Sequence, residues 1–185
     1  MSYADYLALE ASTGLRHEFL DGEAWMMTGG TVRHSAVKSN LMIALGGALR
    51  GRPCRAYDSD LKVRVAHSGL ATYPNLAVIC GEIARHPDDR HALTNPTLLA
   101  EVLSDSAEAW DRGGKFAHYR TIASLRYYLR VNVNTSMIEL FTRLDDGSWR
   151  LTEHRPGGEL ALPALGVALP VDEVYRDLPE EPAEG

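Results

Sequence analysis

The sequence has little cysteine and lacks the segments that mark exported or membrane proteins. Its 185 residues include two cysteines, Cys54 and Cys80, which are too few for a disulfide framework or a zinc set and fit a reducing cytosol. No stretch approaches the roughly 18 to 20 apolar residues that a membrane span needs. The acidic beginning MSYADYLALE also lacks the basic and then apolar segments of a signal peptide. We therefore expect a cytoplasmic protein that does not contact a membrane.

The sequence also has no overall excess of positive charge, because its formal net charge is −6. This charge is unevenly distributed. Residues 33–64 carry seven basic and two acidic residues, whereas residues 172–185 carry six acidic residues and one basic residue. The seven basic residues are Arg33, Lys38, Arg50, Arg52, Arg55, Lys62 and Arg64. Such a stretch is typical of a solvated face, but it is also what phosphate binding requires.

Length and composition indicate one globular domain. With 45% hydrophobic and 24% charged residues, the chain can bury a substantial core. We predict a single domain over residues 1–178, followed by a flexible acidic tail over residues 179–185.

Hydrophobic periodicity predicts a mixed sheet with helices against it. Apolar residues at helical spacing predict a helix over roughly 32–50, in which Gly46-Gly47 is expected to allow close packing against a sheet. The segment HEFLDGEAWMM predicts a hairpin turning at Asp21-Gly22. Leu61, Val63 and Val65 alternate with Lys62 and Arg64, which predicts a half-buried strand with a basic face. Continuous apolar runs predict central strands at 73–80 and 97–104, and further strands follow after residue 124. Together these elements belong to the α/β or α+β class.

Glu101 is the most informative residue, because it interrupts the apolar run TLLAEVLS. A buried carboxylate costs several kcal/mol unless it is paired, protonated or bound to a cation. It could point to the sheet edge or pair with a core arginine. Alternatively, it could converge with Asn75, at the start of a neighbouring strand, on a hard cation such as Mg²⁺, with an amine nearby to stabilise charge on a phosphoryl group.

Several stretches carry a resemblance to a known family. They are HEFLDGEAW, GGTVRHSAVKSNLMIAL, CRAYDSDLKVRV, YPNLAVICG, NPTLLAEVLSDSAEAWDRGGKFAHYR, SLRYYLRVN and LPALGVALPVDEVY. The chain resembles the Uma family of restriction-endonuclease-like proteins, a bacterial branch of the PD-(D/E)XK nuclease superfamily. The resemblance implies a restriction-endonuclease-like αβββαβ core, in which the helix over 32–50 comes first and three strands follow.

The resemblance also implies roles for individual residues. Glu101 matches the acidic motif residue, which would bind Mg²⁺ or Mn²⁺. Leu103 stands where the motif usually has lysine, and Lys115 on the following helix matches the amine. Asn75 stands where the family has aspartate, so it would contribute an oxygen to the metal but no charge. Glu18 and Asp60 are the candidates to supply the missing charge.

The resemblance further implies DNA as the partner. His34 is a candidate metal ligand, phosphate contact or base, although a histidine at a helix start is also a common cap. The residues expected to contact nucleic acid are Arg33, Lys38, Lys62 and Arg64. Two functions remain open: a metal-dependent DNA endonuclease, weakened by Asn75 and acting as a homodimer, or an inactive module that binds nucleic acid or self-associates.

Overall fold

The computed structural model of the protein describes residues 1–27, 29–103 and 114–180. Its helices are α1 (Tyr3–Thr13), α2 (Val32–Ala48), α3 (Lys115–Tyr119) and α4 (Val171–Val174), with a 3₁₀ turn at Pro163–Leu165. Its strands are β1 (His17–Leu20), β2 (Glu23–Met26), β3 (Cys54–Asp58), β4 (Lys62–Val65), β5 (Leu70–Thr72), β6 (Leu76–Cys80), β7 (Arg85–His86), β8 (Asp89–Leu93), β9 (Leu98–Leu103), β10 (Tyr127–Asn132), β11 (Met137–Arg143), β12 (Trp149–His154), β13 (Glu159–Leu162) and β14 (Val167–Pro170). The last residues of the predicted acidic tail, 181–185, lie outside the described residues, and the domain boundary stays a prediction.

The strands form two six-stranded sheets and a small hairpin. The first sheet has the order β2-β1-β5-β4-β8-β7, the second has the order β12-β11-β10-β9-β6-β3, and β13 pairs with β14. Both six-stranded sheets are mixed, because β4 pairs in parallel with β8 and β9 pairs in parallel with β10, while the other pairs are antiparallel. The predicted class, a mixed sheet with flanking helices and additional hairpins, is confirmed.

The αβββαβ order is present, but its first strand differs from the prediction. In the second sheet the order along the chain is α2, β3, β6, β9, α3 and β10. The predicted strand at 61–65 is β4, which belongs to the first sheet. Its place in the core is taken by β3, whose sequence CRAYD has no apolar alternation because it is a partly exposed strand at the end of the sheet.

The second sheet is covered on both faces. On one face it packs against α2 through Val37, Leu41 and Leu45. On the other face, Leu99 of β9 lies in one apolar cluster with Val63 of the first sheet. Every residue of β9 is therefore buried, as a continuous apolar run predicts.

The glycine pair in α2 serves a different purpose from the one predicted. A Cβ atom on Gly46 or Gly47 would meet no atom within 4 Å, so the two glycines do not provide close packing against a sheet. Because the two glycines have no side chains, the helix backbone is accessible at these positions. Substitution by alanine should therefore meet no steric resistance.

The cysteines are also arranged differently from the expectation. Cys54 and Cys80 are directly opposite each other in the antiparallel pairing of β3 with β6, and they form a disulfide. This pairing could not be predicted, because the sequence pattern does not mark β3 as a strand. Cysteines that pair in this way are no sign of a reducing compartment, and cytoplasmic location stays a prediction.

The described helices can also be compared with the length of a membrane span. None of them is both long enough and apolar enough to cross a bilayer.

Candidate active site

Glu101 and Lys115 meet at one end of the second sheet. Glu101 lies in β9, between β6 and β10, and Lys115 is the first residue of α3. The Lys115 Nζ atom is 3.4 Å from Glu101 Oε1, and the two residues are only 5% and 3% exposed. Residues 104–113, which link β9 to this helix, lie outside the described residues.

A second carboxylate joins this pair from the first sheet. Glu18 lies in β1, and its Oε1 atom is 2.8 Å from Lys115 Nζ. The hydroxyl of Thr72, in the neighbouring strand β5, donates a hydrogen bond to the same carboxylate oxygen. Of the two residues considered for the missing charge, Glu18 is therefore the one that the fold places beside Glu101 and Lys115.

Tyr119 completes the cluster. Its hydroxyl donates a 2.8 Å hydrogen bond to Glu101 Oε1 and lies 3.4 Å from Thr72 Oγ1. Burial raises the pKa of Tyr119 well above its usual value, and the carboxylates of Glu101 and Glu18 raise the pKa further. The available signal was spacing, because residues 115 and 119 are one helical turn apart. No sequence signal singled out Thr72.

Asn75 and His34 both hold the backbone of the residue after Glu101. The Val102 N–H donates a 2.7 Å hydrogen bond to Asn75 Oδ1. On the other side of the residue, His34 Nε2 is 3.0 Å from the Val102 carbonyl oxygen, and since a carbonyl only accepts, that ring nitrogen must carry the proton. The two side chains thus fix β9 next to Glu101. Asn75 directly precedes β6, the strand that pairs with β9.

A cavity of about 420 Å³ opens beside these residues. Asn75 and His34 are in its wall, together with the cationic side chains of Arg16 and Lys38. Lys38 also donates a 3.3 Å hydrogen bond to Ser59 Oγ. Of the two cations in this wall, Arg16 is paired with Asp60.

The structure leaves Asp60 outside the site. Its side chain is 71% exposed and pairs with Arg16 at 2.5 Å. Arg33, at the start of α2, donates to the carbonyl oxygen of Pro179 at 3.2 Å. Neither residue contacts the Glu18, Glu101 and Lys115 cluster through these interactions.

The predicted basic face of β4 is wrong. Lys62 is 5% exposed, and its Nζ atom lies 2.7 Å from Glu10 Oε2 and 3.0 Å from Asp89 Oδ2. The Arg64 guanidinium lies 3.9 Å from the centre of the Tyr3 ring. The alternation did predict the strand, but α1 covers the face that carries these two cations. They do not present charge to a nucleic acid in the way the pattern suggested.

The donor set fits a hard divalent cation. Magnesium sites commonly use one or two carboxylates, with water and substrate phosphate oxygens as the other ligands. Glu18 and Glu101 supply two carboxylates, whose Oε1 atoms both lie near the Lys115 ammonium. In residues 1–27, 29–103 and 114–180, no group of three or more His, Cys, Asp or Glu side chains is placed to hold a metal.

Comparisons with other proteins agree with the fold. The sequence profile of the family described as "Uma2: Putative restriction endonuclease" matches residues 3–172. Two uncharacterized proteins of Synechocystis are similar: slr1290 is 35% identical, with 96% of this chain and 93% of that protein covered, and sll1609 is 33% identical, with 83% and 86% covered.

A solved structure extends the comparison. The crystal structure of "a putative nuclease belonging to DUF820" from Anabaena variabilis superposes with a TM-score of 0.76, at 15% sequence identity. The match covers 95% of this chain and 97% of that one. At this identity the similarity shows a shared fold.

Proposed function

The chain belongs to the Uma2 family of restriction-endonuclease-like proteins, and from this membership we propose that it is a Mg²⁺- or Mn²⁺-dependent DNA endonuclease. The observation that carries the proposal is the position of Lys115, whose ammonium lies 2.8 Å from Glu18 and 3.4 Å from Glu101, with all three residues buried. Two carboxylates and an amine at one end of a sheet are the groups that hydrolysis of a phosphodiester requires.

Each member of the cluster has a distinct part in this proposal. Glu18 and Glu101 would hold the divalent ion, which polarises the phosphoryl group and lowers the pKa of bound water. Lys115 donates to the phosphoryl oxygens, where negative charge builds up as the bond breaks. Thr72 and Tyr119 keep the two carboxylates oriented through their hydroxyl hydrogen bonds.

Asn75 and His34 act as positioning residues. Both are hydrogen-bonded to Val102, which follows Glu101 in β9, so they fix the strand segment that presents the acid. Asn75 Oδ1 already accepts one hydrogen bond and carries no charge. The acidic partner of Glu101 is therefore better supplied by Glu18 than by position 75.

DNA is proposed as the substrate because the family is described as a restriction endonuclease and because cations lie near the site. Arg16 and Lys38 line the cavity beside Asn75, and a phosphate backbone is attracted to such a surface. A homodimer, with one site for each strand, remains a prediction.

The second candidate function is an inactive module that keeps the fold. It is favoured by Asn75, because a hard-cation site loses affinity when a formal charge is removed. Such a protein would bind DNA with an affinity that falls as salt is added, but would not cut it.

The test is nicking of supercoiled plasmid with Mg²⁺ or Mn²⁺. We expect cutting by the unchanged protein, and a loss of about 100-fold or more in Lys115→Met and Glu101→Gln, because each removes a group that acts on the reacting phosphate. Lys62→Met is the matched control, since it removes another buried lysine from between two carboxylates and should keep cutting.

Asn75→Asp separates the two candidate functions. If only this variant cuts, and Lys115→Met abolishes that activity, the site is a nuclease site that Asn75 has weakened. If neither the unchanged protein nor Asn75→Asp cuts with either metal, the endonuclease proposal is wrong and the inactive module is favoured.

A further inference from the structure

Two cavities lie along α2, and the two together with the helix surface between them are called the groove below. A cavity of about 680 Å³ lies beside the second half of α2, with Met42, Gly46 and Leu49 in its wall. These positions follow Ser35 and Lys38, which line the 420 Å³ cavity at the active site, at intervals of three and four residues. Such spacing places all five on one side of the helix. The two cavities therefore lie along the same side of α2.

The strand side of the groove is the edge of the second sheet. Ala56 and Cys54 pack against the core beneath α2, so Arg55 and Tyr57 alternate to the opposite face of β3. All four line the larger cavity. The cavity thus wraps around the edge strand rather than lying on one face of the sheet.

The far end of the groove carries three arginines. Arg50 and Arg52, in the turn after α2, and Arg55, in β3, all line the larger cavity and are exposed. Their guanidinium groups make no ion pair, side-chain hydrogen bond or ring contact with the residues that the structure describes. Their positive charge is therefore available to a ligand.

No aspartate or glutamate is among the residues that line the larger cavity, although Asp58 and Glu82 are next to lining residues in the sequence. No aspartate or glutamate occurs between Glu23 and Asp58, although the protein carries 25 acidic residues and a net charge of −6. This acid-free stretch contains all of α2, the arginine turn and most of β3. In addition, Gly46 and Gly47 leave the helix surface open, so that a ligand can approach the backbone closely.

We propose that this groove, lined by Lys38, Arg50, Arg52 and Arg55, binds the phosphate backbone of the DNA whose scissile phosphate lies at Lys115. The inference rests on the proposed function for the identity of the polyanion. Symmetric pairing of β3 with β3 of a second copy is less favourable, because it would bring the arginines of both copies to one edge.

The length of α2 sets the span of the contact. Its 17 residues extend about 25 Å, which corresponds to roughly seven base pairs along a duplex. The arginines therefore contact phosphates about seven base pairs away from the cleaved bond. A duplex shorter than this on that side cannot reach them.

The arginines also have ordinary structural uses that the experiment must separate from binding. Cations after the C-terminal end of α2 complement its dipole, and an arginine on an edge strand opposes aggregation. Both uses predict changes in stability or solubility when charge is removed. Neither predicts a change in the salt dependence of DNA binding.

The test is fluorescence anisotropy of a labelled 30-base-pair duplex, titrated in EDTA so that cleavage does not interfere. The variant is Arg50→Gln with Arg52→Gln and Arg55→Gln. Loss of three phosphate contacts should reduce the slope of log affinity against log salt by about 2 to 3. Arg85→Gln with Arg126→Gln and Arg150→Gln is the matched control, because it removes three other exposed arginines and the same charge, and should keep the slope of the unchanged protein.

A further measurement supports the test. The single charge reversal Arg55→Glu should weaken binding of the long duplex without lowering the unfolding temperature.

The proposed binding of DNA in the groove is wrong if the salt slope is unchanged in the triple variant. It is also wrong if the slope falls equally in the matched control, or if the unchanged protein does not bind the long duplex. If plasmid is cut but the salt slope of the triple variant is unchanged, only the proposed DNA binding in the groove is wrong. If the slope falls but plasmid is never cut, DNA binding in the groove is supported and the endonuclease proposal is wrong.

Discussion

Lys115 and Lys62 are both buried lysines that lie between two carboxylates, yet they lie in different parts of the fold. Lys115 contacts Glu18 and Glu101, and Lys62 contacts Glu10 and Asp89. Each cluster also has a tyrosine hydroxyl that donates to a carboxylate, from Tyr119 at 2.8 Å in the first case and from Tyr3 at 2.9 Å in the second.

The likeness shows that a buried lysine between two acids is not in itself a sign of catalysis. The difference lies in what surrounds each cluster. The Lys62 cluster joins α1 to the first sheet, and Tyr73 donates to both oxygens of Glu10 at 2.9 Å. The Lys62 cluster also lines a cavity of about 650 Å³, so a neighbouring cavity is not what separates the two clusters. Lys115 instead joins Glu18 of the first sheet to Glu101 in the central strand β9 of the second. One arrangement therefore fastens an N-terminal helix, and the other joins the two sheets.

The largest expected effect is common to both clusters. Lys115→Met and Lys62→Met should each lower the free energy of unfolding by about 3 to 5 kcal/mol, because either change leaves two buried carboxylates without their shared cation. Urea unfolding followed by circular dichroism measures the loss.

Neutralising the two acids should restore part of the lost free energy of unfolding. Lys115→Met combined with Glu18→Gln and Glu101→Gln is expected to be more stable than Lys115→Met alone. Full stability of Lys115→Met by itself would contradict the short contacts in this cluster.

The tyrosines should distinguish the two clusters. Tyr119→Phe removes a hydrogen bond to a buried carboxylate and should cost about 1.5 to 3 kcal/mol. Tyr3→Phe should cost less, because Tyr3 is only half-buried and Asp89 also accepts from Lys62 and from the backbone of His91. The measurement is chemical unfolding of the two variants side by side, and an equal or larger loss in Tyr3→Phe would contradict the ranking.

The smallest effect is expected in the acid dependence of stability. Burial opposes ionisation of Asp89, but hydrogen bonds from Lys62, the His91 backbone and Tyr3 outweigh it and hold the pKa of Asp89 below its usual value. A lowered folded-state pKa means that the carboxylate stabilises the fold above about pH 4, and that this contribution is lost as the pH falls through the folded-state pKa. Asp89→Asn should therefore flatten the decline in unfolding temperature between neutral and acidic pH. An unchanged decline would show that Asp89 is not its source.

The sequence predicted the central strands, the helix α2 and the end of the sheet where Glu101 lies. Continuous apolar runs and helical spacing carry this information directly, since they reflect burial on both faces or on one. Strand β3 was not predicted, because this edge strand contains Cys54 and Arg55 and shows no clean alternation of apolar and polar residues. Its pairing with β6, and with it the disulfide, then had no basis in the sequence.

The candidate site was predictable only in part. Glu101 stood out as a charge in an apolar run, and family resemblance pointed to Lys115. Glu18 and Thr72 come from the first sheet, far away along the chain, so only the packing of the two sheets brings them to Lys115. For Lys62, the pattern predicts an exposed basic face and the structure shows burial. Alternation predicts which residues share a face of the strand, but not what covers that face.

The most direct test of the central claim is calorimetric titration with Mn²⁺. If Glu18 and Glu101 hold a catalytic metal, the unchanged protein and Asp89→Asn should release or absorb heat at millimolar Mn²⁺, whereas Glu101→Gln and Glu18→Gln should not. Asp89→Asn is the matched control, because it removes an acid from the other lysine cluster. No heat from the unchanged protein, with or without DNA, or equal binding by Glu101→Gln, would contradict the account.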